Sequence, residues 1–129
     1  VINGTGNTWL KWIAIVMILA TGVIHAIEIP DHFKAATYLG VLFILNAIGA
    51  VVAAVGIFMD EFSWGWSLGL IIAGGAFVMF LISRTIGLPS FNPDEWGALG
   101  IASLVVEGIY VIDYGIRVAQ EQQTGGQAT

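Results

Sequence analysis

Four long apolar runs alternate with short polar breaks along this chain. The first starts at Trp9 and Trp12 and continues to Ile29, where Pro30 is expected to stop it. The second covers residues 33–59, with no charge between Ala35 and Met59. The third covers residues 64–83 inside a charge-free stretch. The fourth, residues 93–118, is as long but carries Glu107 and Asp113. A helix crosses about 30 Å of hydrocarbon with roughly 20 apolar residues at about 1.5 Å each. The pattern therefore predicts an all-α integral membrane protein: one domain, a four-transmembrane-helix up-down-up-down bundle with both termini on the same side.

The breaks between the runs carry helix-end signals. Asp31 is placed to cap the second helix, and Asp60, Glu61 and Ser63 separate the second from the third. Asn92-Pro93-Asp94-Glu95 reads as the start of the fourth: a cap, a proline at the first helical position, and acids in the first turn. The head, residues 1–8, and the polar tail, residues 121–129, are expected to fray. An acidic, proline-containing segment rather than a small-residue cleavage site follows the first span, so that span reads as retained.

Four spans place Trp9, Trp12, Trp64, Trp66 and Tyr114 near the terminal side as an interfacial belt, with Tyr38 and Trp96 on the far side. Lys11 and Arg117 flank the terminal side, Lys34 and Arg84 the far side, so the distribution of basic residues leaves orientation open.

Composition agrees with the pattern. The 129 residues are 57% hydrophobic and 10% charged, against about 25% charged in soluble domains. Four Lys and Arg residues are too few for a nucleic-acid footprint. No nucleotide-binding or hydrolase motif is present, and with no cysteine the chain has no disulfide, thiolate metal site or thiol nucleophile.

An ionisable side chain at mid-bilayer costs about 2.5–3.5 kcal/mol on insertion scales, so Glu107 demands a partner. Counted from Pro93 it lies about 21 Å along its helix; Asn46, counted from Phe33, lies about 20 Å along its own, which enters from the same side. The two are expected to meet. Glu107 shares a stripe with Gly100, Ser103, Tyr110 and Tyr114, and Asn46 with Gly49, Ala50 and Ala53. Glu107 reads as a protonated acid that glues helices together, as a metal-binding or proton-handling carboxylate, or as half of an ion pair to a partner subunit. Asp113 and Arg117, four apart, read as an ion pair snorkelling to the interface.

A second polar concentration, His25, Glu28, Asp31 and His32, lies on the far side. Two imidazoles and two carboxylates could ligate a divalent metal such as zinc or copper, or they are simply interfacial polar residues. A bis-histidine haem fits poorly, because one short segment cannot reach both faces of a porphyrin. His25 lies about 6 Å from the expected end of its span, shallower than Glu107. Gly65, Gly69 and Ala73 form a small-residue ridge, packed either inside the bundle or against another protein.

Pro30-Asp31-His32-Phe33 and Ser83-Arg84-Thr85-Ile86-Gly87-Leu88-Pro89 resemble motifs of a family of small four-span prokaryotic membrane proteins with no agreed activity. The resemblance covers about residues 10–118, with Asp31 where many relatives have Glu. The family's carboxylate-bearing loop falls at Glu95 here, and the resemblance implies a prokaryotic cell membrane and that His25, His32, Arg84 and Glu107 form one constellation.

Three functions follow as expectations. The first is a non-catalytic accessory or assembly subunit of a larger membrane complex of respiratory or metal-oxidase type, whose partners are the lipid bilayer and other membrane subunits. The second is a metal- or haem-binding protein using His25 and His32. The third is a proton- or ion-conducting oligomer around Glu107.

Overall fold

A computed structural model describes residues 5–59 and 62–128. Its helices are α1 (Thr5–Ala35), α2 (Thr37–Phe58), α3 (Ser67–Arg84) and α4 (Ala98–Ala128), with a π-helical turn, Phe62–Trp66, leading into α3. All four are long and apolar enough to cross a membrane. The protein is an all-α integral membrane bundle. α1 packs along α2 and against α4, and α3 packs against the same two, so α1 faces α3 and α2 faces α4 across the diagonals.

Small residues set the helix spacing. Ala14, Ala50, Ala53 and Ala73 are wholly buried, with Ile18, Ile57 and Tyr110 filling the gaps between them. A Cβ on Gly65 would lie 2.5 Å from the Gly56 carbonyl carbon, and one on Gly69 would collide with the Tyr110 hydroxyl. The ridge expected on the third helix therefore packs inside the bundle, where close backbone approach substitutes for a hydrophobic driving force. Gly75 touches nothing on that scale.

Several boundaries depart from the sequence expectation. Pro30 does not end the first helix; α1 winds on to Ala35 and stops at Ala36, which is extended (φ −165°, ψ 137°). A missing N–H in a membrane helix is tolerable where neighbouring groups serve the freed carbonyls. Asp31 therefore sits inside α1, and Ala36 rather than an acid precedes α2. The fourth helix starts at Ala98, not Pro93. Gly97 takes a left-handed φ of 70°, and the Glu95 carbonyl accepts Arg84 Nε–H at 3.0 Å, so 93–96 cannot join the helical ladder. The polar tail is helical to Ala128. Trp66 leaves the expected belt for the core, 2% exposed, and its carbonyl accepts the Tyr110 hydroxyl at 2.8 Å. Trp9, Trp12 and Trp64 stay exposed. Asp60, Glu61 and the first four residues lie outside the described residues.

Candidate functional site

Glu107 is 1% exposed and is held by two hydroxyls. Thr21 on α1 donates to its Oε2 at 2.5 Å, and Ser103, one turn earlier on α4, donates to the same oxygen. Oε1 is buried with no hydrogen-bond partner among the described residues. Asn46 is not the partner. Its Nδ2 donates to the Ile72 carbonyl at 3.4 Å, tying α2 to α3, and its Oδ1 is buried without a partner among the described residues. The depths of Asn46 and Glu107 still correspond, each nine residues into its helix or about 14 Å. Their helices stand on a diagonal, so equal depth does not bring contact.

His25 joins this network. Its Nδ1 lies 2.8 Å from the Thr21 carbonyl and 3.3 Å from the Thr21 hydroxyl oxygen. A carbonyl only accepts, so Nδ1 carries the proton and a neutral ring leaves a lone pair on Nε2. His25, Thr21 and Glu107 thus form one hydrogen-bonded chain between α1 and α4. The continuation of α1 past Pro30 sets His25 ten residues from the helix end, about 15 Å, and removes the expected depth mismatch. His32 repeats the arrangement: its Nδ1 donates to the Glu28 carbonyl at 3.0 Å. Phe43 separates the two rings, stacked on His32 at 3.8 Å and tilted against His25 at 4.7 Å.

His25, His32 and Phe43 face a cavity of about 440 Å³. Its mouth lies between α2 and α3, where Leu42, Leu45, Ile71, Gly75 and Met79 line it while remaining exposed on the outer surface or, for Gly75, uncrowded. Ile71 is 69% exposed. Its inner wall comes from α1 and α4, with His25, Glu28, His32, Gly100 and Ser103. Asn46, Ser83 and Arg84 add polar groups to the sides. A cleft that opens between two spans opens onto acyl chains.

The loop after α3 roofs this cleft. Gly87, at φ 95°, returns its N–H to the Ile82 carbonyl at 2.7 Å, and Ser90 (φ 57°) turns the chain so that Leu88 and Phe91 bridge at 2.8 and 2.9 Å. Both side chains line the cavity. Tyr38 on α2 donates to the Pro89 carbonyl at 2.5 Å and ties the roof down. Arg84 lies over the Phe80 ring at 4.1 Å and donates to Ser83 Oγ at 2.7 Å and to the Glu95 carbonyl. Each residue of the Ser83–Pro89 motif that bonds here shapes or anchors the roof.

The structure brings His25, Glu28, His32, Arg84 and Asn46 to one cleft and sets Glu107 behind its wall. It does not gather the four expected metal ligands. His25, Glu28 and His32 share one face of an unbroken helix, Asp31 does not line the cavity that they line, and no three His, Asp or Glu residues among those described converge on a metal position. Asp113 is 4% exposed with its Oδ2 unpartnered among the described residues, while Arg117 pairs with Glu121 one turn beyond instead of with Asp113. Sequence reasoning missed Thr21. A hydroxyl four residues before His25 on the same helix face was the available signal. No family model, curated protein or solved structure matches the chain.

Proposed function

We propose that this chain is a non-catalytic binding protein of a prokaryotic cell membrane, which takes an amphiphile from the lipid phase into its α2–α3 cleft and acts as an accessory subunit there. The observation that carries this reading is the cleft itself. Its volume falls in the range of about 300–1,000 Å³ usual for small-molecule sites. Its mouth is apolar and faces lipid, and its inner wall is polar. That gradient suits a molecule with a head inside and a tail in the bilayer. A partner helix suits it less, since apolar side chains would leave the imidazole Nε2 atoms without hydrogen bonds in a desolvated place.

The other readings draw less support. Metal binding lacks a third converging ligand among the described residues. Conduction past Glu107 is opposed by the packing toward the terminal side, where Gly65 meets Gly56 and Tyr110 meets Gly69.

Photolabelling tests the proposal. The purified chain in lipid nanodiscs, exposed to a diazirine-bearing long-chain alcohol, is expected to take label at Leu42, Leu45, Ile71 and Met79. Gly75→Trp, which fills the mouth from a position with open space, is expected to remove that label. Label spread evenly over outward positions such as Val16, Val105 and Ile112, and unchanged by the tryptophan, would refute it.

A further inference from the structure

The hydrogen-bond inventory of the cleft is one-sided. The His25 Nδ1 proton goes to the Thr21 carbonyl and that of His32 to the Glu28 carbonyl, so both neutral rings keep only an acceptor, Nε2. Asn46 stands apart: one N–H goes to the Ile72 carbonyl, a second N–H remains, and its Oδ1 is shielded from the cavity with no partner among the described residues. The Ser103 proton goes to Glu107, and the Ser83 proton to the Phe80 carbonyl at 2.7 Å. His25, His32, Ser83 and Ser103 have thus committed these donors elsewhere and offer nitrogen or oxygen lone pairs to the cavity.

The charged lining is balanced and sits under the roof: Glu28 and Arg84 both border the cavity. Arg84 is the strong donor of the set, and it already serves Ser83 and the Glu95 carbonyl. An anionic head would meet Arg84 at the roof, but also Glu28 beside it and acceptors along the inner wall. An ammonium head would find acceptors but would be desolvated in a space that also holds a guanidinium, at a cost that buried charges recover only with a dedicated counter-ion.

We infer that the cleft selects a neutral amphiphile whose head donates hydrogen bonds, a long-chain alcohol rather than a carboxylate or phosphate lipid, with its hydroxyl at the inner wall beside His25 and Ser103. This deepens the proposed function and rests on it. A hydroxyl donates to an acceptor that otherwise stays unpaired, and a site with buried unpaired acceptors discriminates against heads that lack a donor. The tail leaves between Leu45 and Ile71 into the acyl region.

Competition against the photoreactive alcohol in the same nanodiscs reads the selectivity of the unmodified chain. Hexadecanol is expected to displace the probe at about tenfold lower concentration than hexadecanoate or hexadecane. His25→Phe keeps a ring against Phe43 but deletes the acceptor, and is expected to reduce the advantage of the alcohol over the alkane several-fold. Ser103→Ala, which deletes the other acceptor of the inner wall, gives a second reading of the same advantage. Hexadecanoate competing as well as or better than hexadecanol would overturn the donor-head inference while leaving an amphiphile-binding cleft in place. An alcohol advantage that survives both substitutions would overturn it as well. Failure of all three competitors, with no cleft-specific label to displace, would overturn the cleft reading and this inference together.

Discussion

Buried hydroxyls decide how Glu107 is tolerated. Two donors converge on Oε2, from Thr21 across the α1–α4 contact and from Ser103 on the same helix. A Thr21→Val substitution keeps the shape and removes one donor, which also loosens His25 from its hydroxyl contact at 3.3 Å. A loss of about 1–2 kcal/mol is expected, the usual effect of stranding one buried polar partner. Thermal unfolding in detergent measures it, and an unchanged midpoint would mean that the network does not hold the bundle. Glu107→Gln keeps an acceptor for both hydroxyls and is expected to fold with a smaller loss. At this scale the sequence revealed that Glu107 needed a partner and that Asn46 stood at its depth. It did not reveal the partner, because depth follows from counting residues, whereas contact depends on which helices are adjacent.

Glycine spacing sets the closeness of the helices, and two positions on α3 separate structural from open glycines. Gly69→Ala drives a methyl into the Tyr110 hydroxyl and its bond to the Trp66 carbonyl, with an expected cost of about 1–3 kcal/mol. Gly75→Ala meets no atom and removes backbone entropy, so it is expected to be neutral or to stabilise by up to about 1 kcal/mol. The two midpoints in one detergent check this, and equal effects would contradict it. The roof gives a second test. Tyr38→Phe removes the tie to Pro89, and faster hydrogen exchange is expected across residues 86–91 with little change in the helices. The helices themselves were legible, since long charge-free runs leave no other fold in lipid. Their ends were less so. Pro30 looked like a stop, yet α1 continues because membrane helices accept proline, and Asn92-Pro93 looked like a start although Arg84 and Gly97 hold that segment out of the ladder.

At the scale of the whole molecule, uneven packing produces the cleft. α2 meets the π-helical turn closely at Gly56 and Gly65 and meets α3 where Ile72 crowds Gly49, then α2 and α3 part toward the far side beneath the loop that follows α3. The same four helices therefore give a close-packed half and an open half, with the histidines and Arg84 gathered in the open one. Clustering of His25, His32 and Arg84 was implied by the motif resemblance. The cavity between them was not legible, because a void is a property of helix separation rather than of any residue. Native mass spectrometry of the unmodified chain and of Gly75→Trp, released from the same detergent, tests the cleft most directly. The unmodified protein is expected to retain one bound amphiphile and the tryptophan variant none; equal occupancy in both, or a lipid-free unmodified chain, would contradict a lipid-phase binding site between α2 and α3.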